Sequence, residues 1–567
     1  MSAQLAHAAP RAALSRVSIW DRIYGFGSIY AKTLRDSRLA MLVIGAVLSA
    51  LLLAAGSQYA QGYKTLKSRV DFANLVGQLP AVIAGVYGDP WPAHLTRLGG
   101  MISLKDASSV AVIAGFWSIV ALSATLASEA RRGSLEIVAV GRLGRRRVAV
   151  EKLAAHLTAM VLVMAVVALM SVLAGRFGTL PGDAISLADG AGFALWAGLL
   201  ALASGSIAFA LAPVIGRAGA AGIAGAVLMG GDLVNGYRAA VPAFAGPANV
   251  TWFGWTAQHQ PLAAQFDWPS LIPVALVAVA FFAVGVEVFA RRDLGRTTAI
   301  PWLRFPAATL GLGGPLRRSL GDRLPLALAW GAGIGIFGMG LGAAAGSLNA
   351  TLAKTSPDSL KIFHTLFPKI DIATAGGFLQ LAFVELGFII IGFAAMTLVT
   401  GWASDESRGR LELLLAAPLG RSHWALAAGL GVLAAIAAMT AVAAVGIGAG
   451  AALVGSDATT PMLGTLVLGL YAAGVAGVGL ALGGLLRPSI AGGAVAVLVT
   501  ATFLIDLLAP ALRLPDWVDK LALTTHLGQP MIGSWDWTGI AACLALAAGG
   551  LALCAWGMGR RDLVPGD

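Results

Sequence analysis

Two short stretches concentrate the charged chemistry of this chain. They are Ser128-Glu129-Ala130-Arg131-Arg132-Gly133-Ser134-Leu135-Glu136 and Ser404-Asp405-Glu406-Ser407-Arg408-Gly409-Arg410-Leu411-Glu412. Arg132, Gly133, Leu135 and Glu136 align without a gap on Arg408, Gly409, Leu411 and Glu412. In the same register Leu143-Gly144-Arg145 meets Leu419-Gly420-Arg421. Each glycine permits a sharp turn. The residues that follow would open a short helix whose glutamate lies near its positive end. Leu135, Ile137 and Val138, like Leu411, Leu413 and Leu414, give that helix an apolar side. A charged loop that only sets topology needs no such mixed pattern, and its presence twice points to docking.

Other residues offer chemistry of a different kind. Glu385 falls inside an apolar run, about a third of the way in. A charge at that depth costs at least roughly 2.5–3.5 kcal/mol and so faces the bundle interior. It could be a substrate contact, a proton carrier or a structural hydrogen-bonding group. Asp232 and Asp506 each close an apolar run and are followed by Arg238 and Arg513, which suggests a local ion pair in each half. His94, His259, His364 and His526 show no metal-ligand spacing. No nucleophile–base constellation stands out, and no metal or catalytic residue is expected. A phosphate-binding loop needs a lysine directly after a glycine. None of the lysines here follows one. Cys543 and Cys554 both fall in the last apolar run and read as packing residues.

The elements that must hold these residues are dictated by composition. Of the 567 residues, 58% are hydrophobic and 12% charged, against about 25% charged in soluble domains. Apolar runs of roughly 20 residues are long enough to cross a bilayer. Spans are expected near 39–56, 107–128, 153–175, 191–212, 218–235 and 271–290, then 325–346, 378–401, 424–454, 461–485, 489–508 and 538–558. The fold class is therefore an all-α polytopic membrane protein of about 12 transmembrane helices. With the N-terminus inside, 27 of the 39 Lys and Arg lie in inward segments and 12 in outward ones. That bias puts both termini in the cytoplasm. The net charge of +11 is mostly a topology signal, and no nucleic-acid partner is expected.

The spans form two parallel six-helix repeats. Gln260-Pro261 echoes Gln529-Pro530, and each half closes on Arg-Arg-Asp-Leu, at 291–294 and 560–563. Ordered anchors of this kind indicate duplication. The expected organisation is a cytoplasmic N-terminus at 1–38, a first half at 39–290, a cytoplasmic linker at 291–324 and a second half at 325–567. From Arg16 to Leu39 the N-terminus reads as an amphipathic interfacial helix, with no signal-peptide pattern before it. Gly331, Gly335, Gly338, Gly342 and Gly346 crowd the seventh span, at spacings that allow close helix packing. The tryptophans before the sixth and twelfth spans read as interfacial anchors.

The two loops, the six-span half and the Arg-Arg-Asp-Leu ending resemble the permeases of type-2 ATP-binding-cassette (ABC) exporters. The likeness is greatest to the fused, double-length form resembling polyketide-antibiotic and multidrug exporter permeases. The resemblance implies that each loop is a coupling helix seated in a groove of an ATPase subunit. One ATPase contact would comprise Glu129, Arg132, Gly133, Leu135, Glu136 and Arg145. The other would comprise Asp405, Arg408, Gly409, Leu411, Glu412 and Arg421. The family often has proline in the apolar stretch before this arginine. Pro418 keeps it, whereas Arg142 replaces it in the first copy. The resemblance further implies two copies of a separate ABC ATPase as partners. ATP and Mg would be bound by that ATPase and no cofactor by this chain. The site would be the bacterial cytoplasmic membrane, with contacts to membrane lipid. The cargo would be an amphipathic or hydrophobic compound such as an antibiotic, a drug or a lipid. The alternative is an ion-coupled secondary transporter using Glu385.

Overall fold

A computed structural model describes residues 28–78, 94–131, 144–239, 241–291, 310, 313–352, 374–407, 410–416, 418–512 and 515–561. In hydrocarbon a helix satisfies its own backbone hydrogen bonds, so long apolar runs become helices. Short α1 (Ile29–Asp36) leads into α2 (Arg38–Gly62), and α3 (Leu66–Gln78) follows, with Phe72 and Val76 buried in the core. Next come α4 (Leu98–Arg131), α5 (Arg145–Gly175), α6 (Leu187–Gly236) and α7 (Leu271–Arg291). The second half comprises α8 (Pro315–Leu352), α9 (Leu386–Ser407), α10 (Arg410–Leu415), α11 (Arg421–Leu453), α12 (Thr459–Leu485), α13 (Pro488–Leu512) and α14 (Trp537–Arg560). A helical turn at Ala375–Leu379 and a π-helical stretch at Gln380–Glu385 run into α9.

Among the described residues, 11 helices are long and apolar enough to cross a membrane. The sequence led to an expectation of about twelve. The difference lies in α6, which holds both the fourth and fifth expected spans. Gly216, at φ 81° and ψ 170°, breaks α6 after Pro213. Gly205, before the break, packs on Ser118 and Leu122, while Gly225, after it, faces Phe116. Both arms therefore lie against the same stretch of α4, which requires a hairpin turned at Gly216. A left-handed φ at the turn favours glycine there. The second half makes this turn between α12 and α13. α8 begins at Pro315, earlier than the span expected from residue 325. Residues 1–27, which carry half of the expected interfacial helix, lie outside the described set, and α1 belongs to its described half.

The duplication recurs in backbone detail. Gln260 (φ −121°, ψ 70°) and Gln529 (φ −123°, ψ 73°) each precede a 3-10 turn that starts at proline and ends in a left-handed residue, Ala264 or Gly533. Gln260 bridges to Gln265 as Gln529 pairs with Ser534. A Cβ on Gly99 would sit 1.9 Å from the Leu262 carbonyl, and one on Gly376 2.4 Å from that of Met531. Each turn therefore rests directly on the backbone of the helix start below it. The halves meet reciprocally: α2 touches α13, and α8 touches α6.

α8 lies tightly along α11. A Cβ on Gly331 would come within 2.6 Å of the Met439 carbonyl, and one on Gly342 within 2.6 Å of that of Ile447. The glycines of the seventh span thus act in close packing, as their spacing suggests.

Candidate coupling surface and intramembrane polar site

The end of α9, short α10 and the start of α11 carry the second repeated loop. α9 brings Asp405 and Glu406 to the mouth of the bundle, and each meets an arginine from a different helix. Arg323 of α8 places Nη2 3.2 Å from Asp405 Oδ2. Its Nη1 donates to the Ser319 carbonyl and hydroxyl, both at 2.8 Å. The Ser319 hydroxyl in turn donates to the Ala428 carbonyl of α11 at 2.6 Å.

Arg561, just past α14, clasps Glu406 with both guanidinium nitrogens, with Nη1 to Oε1 at 2.7 Å. Its Nε donates to the Gly484 carbonyl at the end of α12 at 3.0 Å. Arg421, at the start of α11, donates to the Arg561 carbonyl at 3.1 Å. One side chain and its backbone thus tie α9, α11, α12 and α14 together at one end. The pair is largely buried, at 12% exposure for the arginine and 7% for the glutamate.

Below this clasp, α10 turns its two faces differently. Leu411 is buried against α9, whereas Glu412 is exposed in the first turn. That is the amphipathic division expected of a docking helix. Trp402 and Trp424 stack beneath it, 6.2 Å between ring centres. Of the residues expected at this contact, Asp405 is turned inward to Arg323, while Glu412 and Arg421 are exposed. Arg408 and Gly409 lie outside the described residues.

In the first repeated loop, Arg132, Gly133, Leu135 and Glu136 lie outside the described residues. Glu129 falls within α4, and Arg145 opens α5. The local chemistry differs from that of the second loop. In the aligned register Ala130 stands where Glu406 stands, so that position offers no carboxylate. Instead Arg146 and Arg291 both bind Glu287, and all three are substantially exposed. Arg291 corresponds to Arg560 and Glu287 to Trp556, where the second half places a guanidinium 4.3 Å over the indole.

Glu385 is half-buried at the end of the π-helical stretch. Gln380, fully buried, donates to its Oε1 at 3.2 Å. The Gln380 carbonyl oxygen accepts from the Met531 amide at 3.4 Å. The glutamate is thereby linked to the turn above α14. Asp232 and Arg238 do not pair as expected. Arg238 binds Asn235, and Ser108 bonds Asp232. Asp506 takes the hydroxyl of Thr524. Arg513, its expected partner, lies outside the described residues.

Sequence reasoning missed three polar groups. Arg69 of α3, fully buried, makes a two-pronged pair with Asp183 in the α5–α6 loop, with Nη2 to Oδ2 at 2.8 Å. Asp183 also accepts from the amides of Leu180 at 2.9 Å and Leu98 at 3.2 Å. Burial works to raise the Asp183 pKa. Arg69 and these amides outweigh it and hold the carboxyl below its ordinary value. In α5, His156 lies buried with Nε2 3.1 Å from the Ser118 hydroxyl. Arg561 was visible as part of a repeated tetrapeptide, but its partner was not.

Residues 317–558 match the family model described as "Multidrug efflux system permease Rv1217c, C-terminal domain". The chain is also similar to the multidrug efflux system permease protein Rv1217c of Mycobacterium tuberculosis (strain ATCC 25618 / H37Rv). The two are 28% identical over 197 residues, covering 32% of each chain. The alignment thus spans about a third of that relative's length. Both matches support the resemblance carried by the loops and the repeat: an exporter permease of the ABC kind, with residues 317–558 matching the C-terminal domain of a multidrug efflux permease.

Proposed function

We propose that this chain is the membrane-spanning permease subunit of an ATP-driven exporter of amphipathic or hydrophobic compounds. It sits in a bacterial cytoplasmic membrane with both termini inside. Two separate ABC ATPase subunits, which hold the ATP and Mg, dock on the loops at 129–145 and 405–421. Nucleotide-driven movement of those subunits tilts α4 against α5 and α9 against α11. The path between the halves, bordered by α2 with α13 and α8 with α6, opens and closes in response.

The observation that carries this reading is the division of α10: Leu411 buried, Glu412 exposed, and the end of α9 just before it held by the Arg561–Glu406 clasp. A loop exposed to water has no need of such anchoring, whereas a part that receives force does. The test is co-expression with the candidate ATPase. The expected result is a complex of one permease with two ATPases, and no ATP hydrolysis by the permease alone. Hydrolysis by the isolated chain, or export that persists without any ATPase, would overturn the reading. The second outcome would favour ion-coupled transport through Glu385.

A further inference from the structure

Arg35 and Arg38 flank a surface cavity of about 450 Å3, whose remaining walls are Asp36 and Leu39. It lies where α1 passes into α2. The Ser37 amide donates to the Thr33 carbonyl at 3.1 Å and the Met41 amide to the Ser37 carbonyl at 2.9 Å, so helical periodicity carries across the junction. Residues three and four apart therefore share a face. Lys32, Arg35, Asp36, Arg38, Leu39 and Leu42 form one stripe, charged at one end and apolar at the other.

The opposite face is occupied. Leu34, Met41 and Ile44 pack on the core of the first half, and the Tyr30 hydroxyl donates to Thr158 of α5 at 2.9 Å. Thr158 lies inside the span expected from residue 153. α1 is thus held at the edge of the bilayer, and the stripe faces away from the bundle.

Charge does not balance along the stripe. Lys32 and Arg35 share the Asp36 carboxylate, at 3.7 and 3.5 Å. Arg38 is exposed and has no ion pair among the described residues. Three cations thus stand against one carboxylate. Next to them Leu39 and Leu42 are 70% and 71% exposed, an apolar surface that hydrocarbon accommodates. Guanidinium groups match phosphate geometry, and the cytoplasmic leaflet offers anionic headgroups. The second half does not repeat this arrangement: Arg323, near the start of α8, is buried and tied to Asp405.

We propose that the stripe is a binding site for one anionic phospholipid of the cytoplasmic leaflet. Its phosphate lies between Arg35 and Arg38, and an acyl chain runs along Leu39 and Leu42. Diffuse attraction between a leaflet and basic residues would act at every cytoplasmic helix end. Here the phosphate has a cavity, and the chain has an apolar track that leads out of it. The site rests on the membrane placement proposed above and not on export.

The test places a photoreactive side chain on the track, Leu42→p-benzoylphenylalanine, in the full chain. The protein is reconstituted in vesicles of phosphatidylcholine with a minor share of phosphatidylglycerol, without ATPase or nucleotide. After irradiation the attached lipids are identified by mass spectrometry. We expect phosphatidylglycerol among the adducts at least three-fold above its share of the bilayer. Arg38→Gln, a change at an exposed residue, lowers that enrichment at least two-fold, and adding Arg35→Gln abolishes it. The same label at Val284, exposed on α7 toward the same side of the membrane, reports the share of the bilayer. Excess soluble glycerol 3-phosphate leaves the enrichment at Leu42 unchanged. Equal enrichment at Leu42 and Val284, or enrichment that survives both arginine changes, overturns the proposal. So does competition by glycerol 3-phosphate, which would assign the cavity to a free phosphate. If the double variant does not accumulate, Arg38→Gln decides alone. Because no ATPase is present, failure of the exporter reading leaves this outcome untouched.

Discussion

Arg561 grips Glu406 across the mouth of the second half, and in the first half Ala130 stands at the aligned position of that glutamate. Removing one partner of a buried ion pair leaves an uncompensated charge, at a cost on the order of 3–5 kcal/mol. Glu406→Gln should therefore lower the thermal midpoint of the purified chain and loosen the α9–α11 end. Arg561→Gln should do the same, and the double variant should cost less than the sum of the two. Glu287→Gln, at the exposed counterpart, should leave the midpoint near the unaltered value. Additive losses in the double variant would show that the two residues act separately.

The coupling loops give the next expectation. Glu412 sits exposed in the first turn of α10, and Glu136 is its aligned counterpart. Charge reversal loses favourable helix-end electrostatics and places the wrong sign in the proposed interface, each worth about 0.5–2 kcal/mol. Glu412→Lys should weaken ATPase co-purification or uncouple hydrolysis from export, more so than Glu136→Lys. Arg97→Glu is the control and should change neither. Normal assembly and export in both glutamate variants would reduce the loops to topology signals.

Orientation can be read by thiol labelling. Single cysteines at Lys64 and Val454, both exposed, should react with an impermeant reagent from outside. Cysteines at Gly144 and Ser422 should not. Ser103, half-buried in α4, is a poorer reporter. Reversed labelling would overturn the orientation drawn from the basic residues.

The Arg69–Asp183 pair predicts an acid response. The folded pKa of Asp183 is depressed, so its stabilisation is fully present above the ordinary carboxylate range. It is lost as pH falls below that range through the folded value. Arg69→Leu should destabilise by about 3–5 kcal/mol at neutral pH. Asp183→Asn should flatten the fall in thermal midpoint between about pH 5 and pH 3. An unaltered acid slope in Asp183→Asn would place that sensitivity elsewhere.

Much of the architecture was legible in the sequence because lipid imposes it. Apolar length gave the spans, and the repeated anchors gave the two halves. The Gln-Pro echo was visible, but that each turn rests on Gly99 or Gly376 required coordinates. The expected spans at 191–212 and 218–235 already leave Gly216 between them; that the two arms fold back on α4 as a hairpin required coordinates. Asp405 and Glu406 both read as parts of one charged motif. Sequence alone could not divide them between Arg323 and Arg561, since these partners lie far along the chain. Arg69 was hidden for the same reason, its pair with Asp183 spanning 114 positions. In the sequence His259 reads as a loop residue, and its burial depends on Phe266 and Trp268 closing around the ring.

Carrying both halves on one chain changes what mutation can reach. A transporter assembled from two identical subunits expresses every substitution twice, so a change helpful on one side must be tolerable on the other. Here positions 130 and 406 vary separately, as do 259 and 528. The protein holds alanine and glutamate in the first pair and histidine and glycine in the second. Fusion lets one half carry the Arg561–Glu406 clasp without the other having to match it. Such a chain can evolve a division of labour that an obligate homodimer cannot.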